Sequence, residues 1–260
     1  MNNLQTLLRY RELAYLFTWR EIRIRYKQSV MGLLWAVFMP ALIVCAGALV
    51  RIVASRFSGR PLASQDIASV IVRAVIWAFF VSSIRFGTSS LTLNSSLVTK
   101  IAFPKELFPI AAVMSSLFDF AVAAVVVAIC LPVLGVSFHI QALWSLPLLL
   151  VTVLQVLGLT LILSAANLFF RDVKYLVEIF LTYAIFFTPV LYPASMAGQW
   201  RSLLYINPIS PLLEAISDSI VEGSIPDVLW VAYSVITSLF LLATGYWLFK
   251  QLEASFAERI

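Results

Sequence analysis

Charge is what this sequence has least of. Lys, Arg, Asp and Glu make up 12% of its 260 residues, about half of the ~25% usual in a soluble domain. A soluble fold of this length leaves about a quarter of the chain's surface in water, and too few polar residues are present to cover it. Cysteine is scarce too. Cys45 and Cys130 stand alone inside apolar runs, far from a CxxC spacing, which excludes a disulfide framework or thiolate metal site and leaves small packing residues. The single histidine, His139, has no carboxylate or cysteine at ligand spacing, so no metal site is expected. None of the nine glycines is followed by lysine. A phosphate-cradling loop needs Gly-Lys before Ser or Thr, so nucleotide hydrolysis is not expected of this chain.

What is abundant is hydrocarbon, with 62% of the residues hydrophobic. A helix needs about 20 mostly apolar residues to cross a bilayer. Runs of that kind predict six spans, at about 29–50, 67–93, 107–134, 143–169, 176–192 and 228–249. The expected fold is therefore an all-α integral membrane protein, a single domain over 1–260. The first 28 residues are strongly charged and lead into a run long enough to span, so the first span is expected to act as an uncleaved anchor. With six spans, twelve Lys and Arg residues fall on the side of the N-terminus and four (Arg51, Arg56, Arg60 and Arg201) on the other, which predicts cytoplasmic termini. The net charge of +5 is thus a topology signal, and no nucleic-acid partner is expected. No cluster of carboxylates or histidines gathers at one membrane face, which argues against a membrane-embedded enzyme.

Three stretches do not fit a simple span. Over about 9–27, Leu13, Leu16, Phe17 and Ile24 share one helical face while Arg20, Arg23 and Lys27 share another, predicting an amphipathic helix along the membrane surface. Such a helix either attracts anionic lipid or docks a cytoplasmic partner, and the two readings are compatible. Between the second and third spans, residues 94–109 alternate Leu97, Val98, Ile101 and Phe103 with Lys100, predicting a short amphipathic helix ended by Pro104. After the fifth span, Pro189, Pro193, Gly198, Pro208 and Pro211 break an apolar stretch too often for one spanning helix. Broken half-helices at the outer leaflet, buried in protein, are expected there.

The segments RYKQSVMGLLWAVFMP (25–40), LVTKIAFPKELFP (97–109), NLFFRDVKYL (167–176) and NPISPLLEA (207–215) resemble, in order and spacing, the ABC-transporter permeases that export polysaccharide. The resemblance covers nearly the whole chain. It implies a six-span permease that forms a homodimer in the bacterial inner membrane and docks two cytoplasmic ATP-binding cassette subunits, which bind ATP and Mg. The implied cargo is a lipid-linked glycan of the O-antigen or teichoic-acid kind. A permease of related fold exporting a drug or another lipid is the alternative. By the same resemblance, Ser96, Leu97, Val98, Lys100, Ile101, Phe103 and Lys105 belong to the helix that enters the ATPase, with Arg20, Arg23 and Lys27 as a second contact. The broken stretch 192–213 corresponds to the family's paired outer helices.

Arg73, Arg85 and Asp119 lie inside expected spans, where each costs at least about 2.5 kcal/mol unless paired or hydrated. Arg85 is about 16 Å from Ser96 and Asp119 about 20 Å from Glu106, at 1.5 Å per helical residue. Their similar heights leave two readings: an ion pair between neighbouring helices, or Arg85 on the wall of a conduit, where its fork suits a pyrophosphate. Arg73, nearer the outer face, either snorkels or meets substrate. Trp77, Phe80, Phe187 and Tyr192 are candidate sugar-stacking residues, set against the commoner role of packing. Arg171 and Lys174 form either a topology cluster or an entry lip for a lipid headgroup.

Overall fold

A computed structural model describes residues 10–27, 34, 38, 41–42, 45, 49, 52–53, 56, 64–100 and 103–256. All regular structure among them is helical. The order is α1 (Arg11–Lys27), α2 (Ser64–Leu93), α3 (Ser95–Lys100), α4 (Leu107–Val133), α5 (Ser145–Phe169), α6 (Val173–Ala184), α7 (Arg201–Tyr205), α8 (Ile209–Val221) and α9 (Val228–Leu252). A 3₁₀ turn, Ile140–Trp144, leads into α5. Among the described residues, four segments are long and apolar enough to cross a bilayer: Ser64–Leu93, Leu107–Val133, Ile140–Phe169 and Val228–Ser255. These match the second, third, fourth and sixth expected spans. The chain is therefore a multi-pass membrane protein.

The other two expected spans differ. Most of 29–50 lies outside the described residues, as does Ile101; Leu34, Phe38, Leu42 and Leu49 are helical and exposed. The stretch 176–192 is helical only to Ala184. Its 12-residue helix is about 18 Å long, short of the ~30 Å hydrocarbon core, and 185–190 continues as turns.

Burial ranks the four long helices. The apolar window of α2 is 78% buried, that of the α5 segment 44%, of α4 22% and of α9 17%. α2 is thus the centre of the bundle, flanked by α4 and α5, with α9 outside α5. Glycine sets the last crossing. A Cβ on Gly245 would lie 2.4 Å from the Gly158 carbonyl oxygen, and one on Gly158 2.5 Å from the Leu241 backbone. Close backbone approach at small residues is how membrane helices associate when no hydrophobic force separates protein from lipid. α4 stops at Gly135 (φ 76°), where Val136 N–H donates to the Leu131 carbonyl and Gly135 N–H to that of Pro132, a glycine-ended helix with its last carbonyls satisfied.

Four of the expected break sites, Pro189, Pro193, Gly198 and Pro208, fall in turns, kinks or helix starts, whereas Pro211 lies in the first turn of α8 without breaking it. Pro193 precedes the 3₁₀ segment Ala194–Trp200, Gly198 (φ 54°) kinks it, and Pro208 starts α8. At one end of the bundle lie α3, residues 103–106, the ends of α2, α5 and α9 and the starts of α4 and α6. The opposite end holds the 134–144 turn, α7 and the start of α9.

Candidate functional site: a bolted end and an open face

The end carrying α3 has its own apolar core. Leu91, Val98, Phe103, Leu107, Phe108, Leu161, Leu168, Phe249 and Phe256 pack there, apart from the larger core in the body of the bundle. Phe17 of α1 joins it, its ring 5.5 Å from Phe103 and 5.2 Å from Phe108. Ion pairs reinforce these contacts. Glu106, 2% exposed, is held by Lys250 Nζ at 2.8 Å; the same ammonium donates to Glu253 at 2.8 Å, and Glu253 accepts Lys105 N–H at 2.9 Å. The segment after α3 is thereby fixed to the end of α9. Burial holds the Lys105 ammonium below its usual pKa, against the opposing pull of Glu253.

The expected docking residues divide by burial. Val98 (1% exposed) and Phe103 (9%) belong to the protein's own core, and Leu97 is partly buried against it. Ser96 and Lys100 are exposed, with Thr99 beside them. This short helix thus has one face packed inward and one face outward. Lys105 is partly buried, over the Phe103 ring at 5.0 Å.

α1 runs along α4 rather than across its end. Phe17 meets Phe108, while Arg25 and Tyr26 both donate to Asp119, about 16 Å further along α4. Burial and the Asp119 hydrogen bond raise the Tyr26 pKa. Arg20 donates to Asn94 and Glu21, Arg23 lies over the Trp19 ring at 5.4 Å, and Lys27 is exposed.

The expected pairing of Arg85 with Asp119 is not what the fold makes. Arg85 donates twice to Glu178 of α6, at 2.8 and 2.6 Å, and Asp119 is taken by α1. Heights along two helices said nothing about which faces they present. The Arg85 and Glu178 side chains are 47% and 48% exposed, on a face that also exposes Tyr175, Ile179, Phe180, Tyr183, Phe186 and Phe187. Beside it is a groove of about 690 Å³ between α6 and the Leu203, Ile206 and Asn207 region. Tyr192 is fixed near it by donating to the Phe186 carbonyl at 2.9 Å. Arg171 and Lys174 are exposed at the start of α6.

Other expected residues lie inside. Trp77 and Phe80 are each 6% exposed and stacked on one another at 5.3 Å. Arg73 is 1% exposed and does not snorkel; its Nε donates to the Ser69 carbonyl at 3.2 Å. Its charge lowers the Asp218 pKa, but burial and the neighbouring Glu222 and Glu214 outweigh it and push Asp218 up to about 7.

Asn167 and Glu214 are among the residues that escaped the sequence reading. Asn167, 1% exposed, donates to the Thr88 carbonyl at 3.1 Å and accepts Lys174 N–H at 3.2 Å, so the NLFFRDVKYL motif orients α6 against α2 and α5. Glu214, 6% exposed, accepts from Ala194 N–H and Tyr205 Oη, with Arg201 at 3.9 Å, and so ties the broken pieces together. A buried Asn or Glu in an apolar segment is itself a signal, since each must find a partner there.

These features match a known pattern of sequence. The family described as ABC-2 type transporter matches residues 12–221. An O-antigen export system permease protein RfbA of Myxococcus xanthus is 31% identical over 265 residues, 98% of this chain and 97% of its own length. A protein of the same name from Klebsiella pneumoniae is 26% identical over 249 residues, 95% and 94% of the two chains. With a core around α3, an exposed α6 face and this match over most of its length, the chain belongs to the ABC-2 type transporter family.

Proposed function

We propose that this chain is the membrane-spanning subunit of an ATP-driven exporter that carries a lipid-linked polysaccharide from the cytoplasm across the inner membrane. The end-to-end similarity to O-antigen export permeases carries the reading. In this reading the chain makes six crossings, the first at about 29–50 and the fifth by α6 with the turns after it, and both termini are cytoplasmic. Two copies pair, and each docks one ATPase subunit that binds ATP and Mg; this chain supplies no catalytic group.

The roles follow from the two surfaces. Ser96 and Lys100 face the ATPase, and Val98 and Phe103 anchor α3 so that its displacement moves α4 and α9 together. The α6 face, with Arg85, Glu178 and the exposed aromatics, lines the conduit. Sugar rings stack on aromatic faces there, and Arg85, whose Nε and Nη2 edge is engaged by Glu178, offers its remaining N–H donors to a pyrophosphate or exchanges Glu178 for it to grip with that edge. Arg171 and Lys174 receive the anionic headgroup. Trp77, Phe80 and Arg73, buried within one copy, support this wall from behind.

Co-purification tests the docking. Ser96→Glu with Lys100→Glu is expected to release the ATPase from a folded permease, and retention of the ATPase by that variant refutes the assignment. Deletion of the chain is expected to abolish surface polysaccharide while lipid-linked glycan accumulates inside. A normal surface polymer, with a changed drug or lipid export phenotype, overturns the cargo.

A further inference from the structure

An apolar cavity of about 300 Å³ lies between α2, α4, the start of α5 and α8. Among its lining residues only Ser145 carries a polar side chain, and none is charged. Ala124 and Ala128, one turn apart on α4, make the space by being small. Phe138 and Leu146, 75% and 66% exposed, form the rim, and Ile216 and Ile220 of α8 form the far wall.

A void of this kind is unfavourable empty, because its walls lose their dispersion partners, and it stays dry, because an apolar lining gives water nothing to bond. The medium at its mouth is hydrocarbon. α4 is one of the four spanning segments and turns most of its apolar window outward, with Val125 61%, Ile129 68% and Val133 84% exposed beside the opening.

We infer that one acyl chain of a bilayer phospholipid enters this slot and packs against Ile216 and Ile220. The occupant adds to the apolar packing of α8 on α2 in the main core, where a 3.4 Å hydrogen bond also runs from Ser217 to the Ser69 carbonyl. The position is at the end of the bundle opposite α3, so lipid there acts on α8 and not on the docking helix. This inference needs only that the chain spans a bilayer and does not depend on the cargo proposed above.

The test is photo-crosslinking of the full-length chain in nanodiscs that contain a phosphatidylglycerol with a diazirine on one acyl chain, with adducts mapped by mass spectrometry. Adducts are expected on the α8 segment carrying Ile216 and Ile220 as well as on the outward α4 residues Val125 and Ile129. Ala128→Phe fills the slot and is expected to abolish the α8 adducts while the α4 adducts persist, which also reports that the variant is inserted. Ala124→Leu gives the same readout with less added bulk should Ala128→Phe fail to fold. Undiminished α8 adducts in a folded variant overturn the proposal. So does displacement of the α8 label by a short polyprenyl phosphate, which would assign the slot to a cargo tail.

Discussion

The end of the bundle around α3 and the exposed face of α6 both carry charges close to apolar side chains, yet they treat them in opposite ways. At the α3 end Glu106 is 2% exposed and held by Lys250, while three phenylalanine rings seal the segment above it. On the α6 face the side chains of Arg85, from α2, and Glu178 are half exposed. A buried pair is costly to break because it leaves an uncompensated charge; an exposed pair contributes little and exchanges partners readily. One region is locked together, while the other holds its charges loosely.

The largest expected effect breaks the first of these. Lys250→Met strands Glu106 in an apolar pocket and is expected to cost about 3 kcal/mol of stability; adding Glu106→Leu should return most of it, as read by thermal unfolding of the purified protein. Phe103→Ala, which removes one of the three packed rings, is expected to cost a comparable ~3 kcal/mol. Both should release an ATPase partner only through lost folding, in contrast to Ser96 and Lys100 on the outward side of α3.

Arg85→Ala and Glu178→Ala sharpen the comparison from the other side. Each is expected to change stability by under about 1 kcal/mol yet to lower export measured on surface glycan. Loss of protein level as large as for Lys250→Met would erase the distinction between the two regions.

A pH dependence lies outside both regions. Asp218 keeps its proton in the folded chain up to about pH 7 but ionises near 3.8 when unfolded. The folded state therefore binds more protons between these values, and stability falls as pH rises through that window. Asp218→Asn is expected to flatten this part of a pH series of melting temperatures. Glu214 on the same helix and Glu222 just after its end, with Arg73 and Arg201 near Asp218, should leave the remaining dependence unchanged.

Four of the spans were legible because a run of apolar residues is a one-dimensional signal, and Pro193, Gly198 and Pro208 marked the interruptions because backbone constraints are local. The short α6 was less legible. Its apolar run continues to 192, but the helix ends at Ala184 and turns follow. The residues expected to dock were named as one segment but not sorted by burial, since Val98 and Lys100 are two positions apart and differ only in what α3 packs against.

Sequence alone determined the solvent of this protein, its helical class and the absence of a Gly-Lys phosphate loop, because composition and local pattern suffice for these. Tertiary structure alone decided that Arg85 meets Glu178, that Arg25 and Tyr26 meet Asp119, and that Lys250 closes over Glu106. Spacing along a helix fixes the height of a side chain, but its partner depends on the rotation and neighbours of that helix, which are set by close crossings such as Gly158 on Gly245.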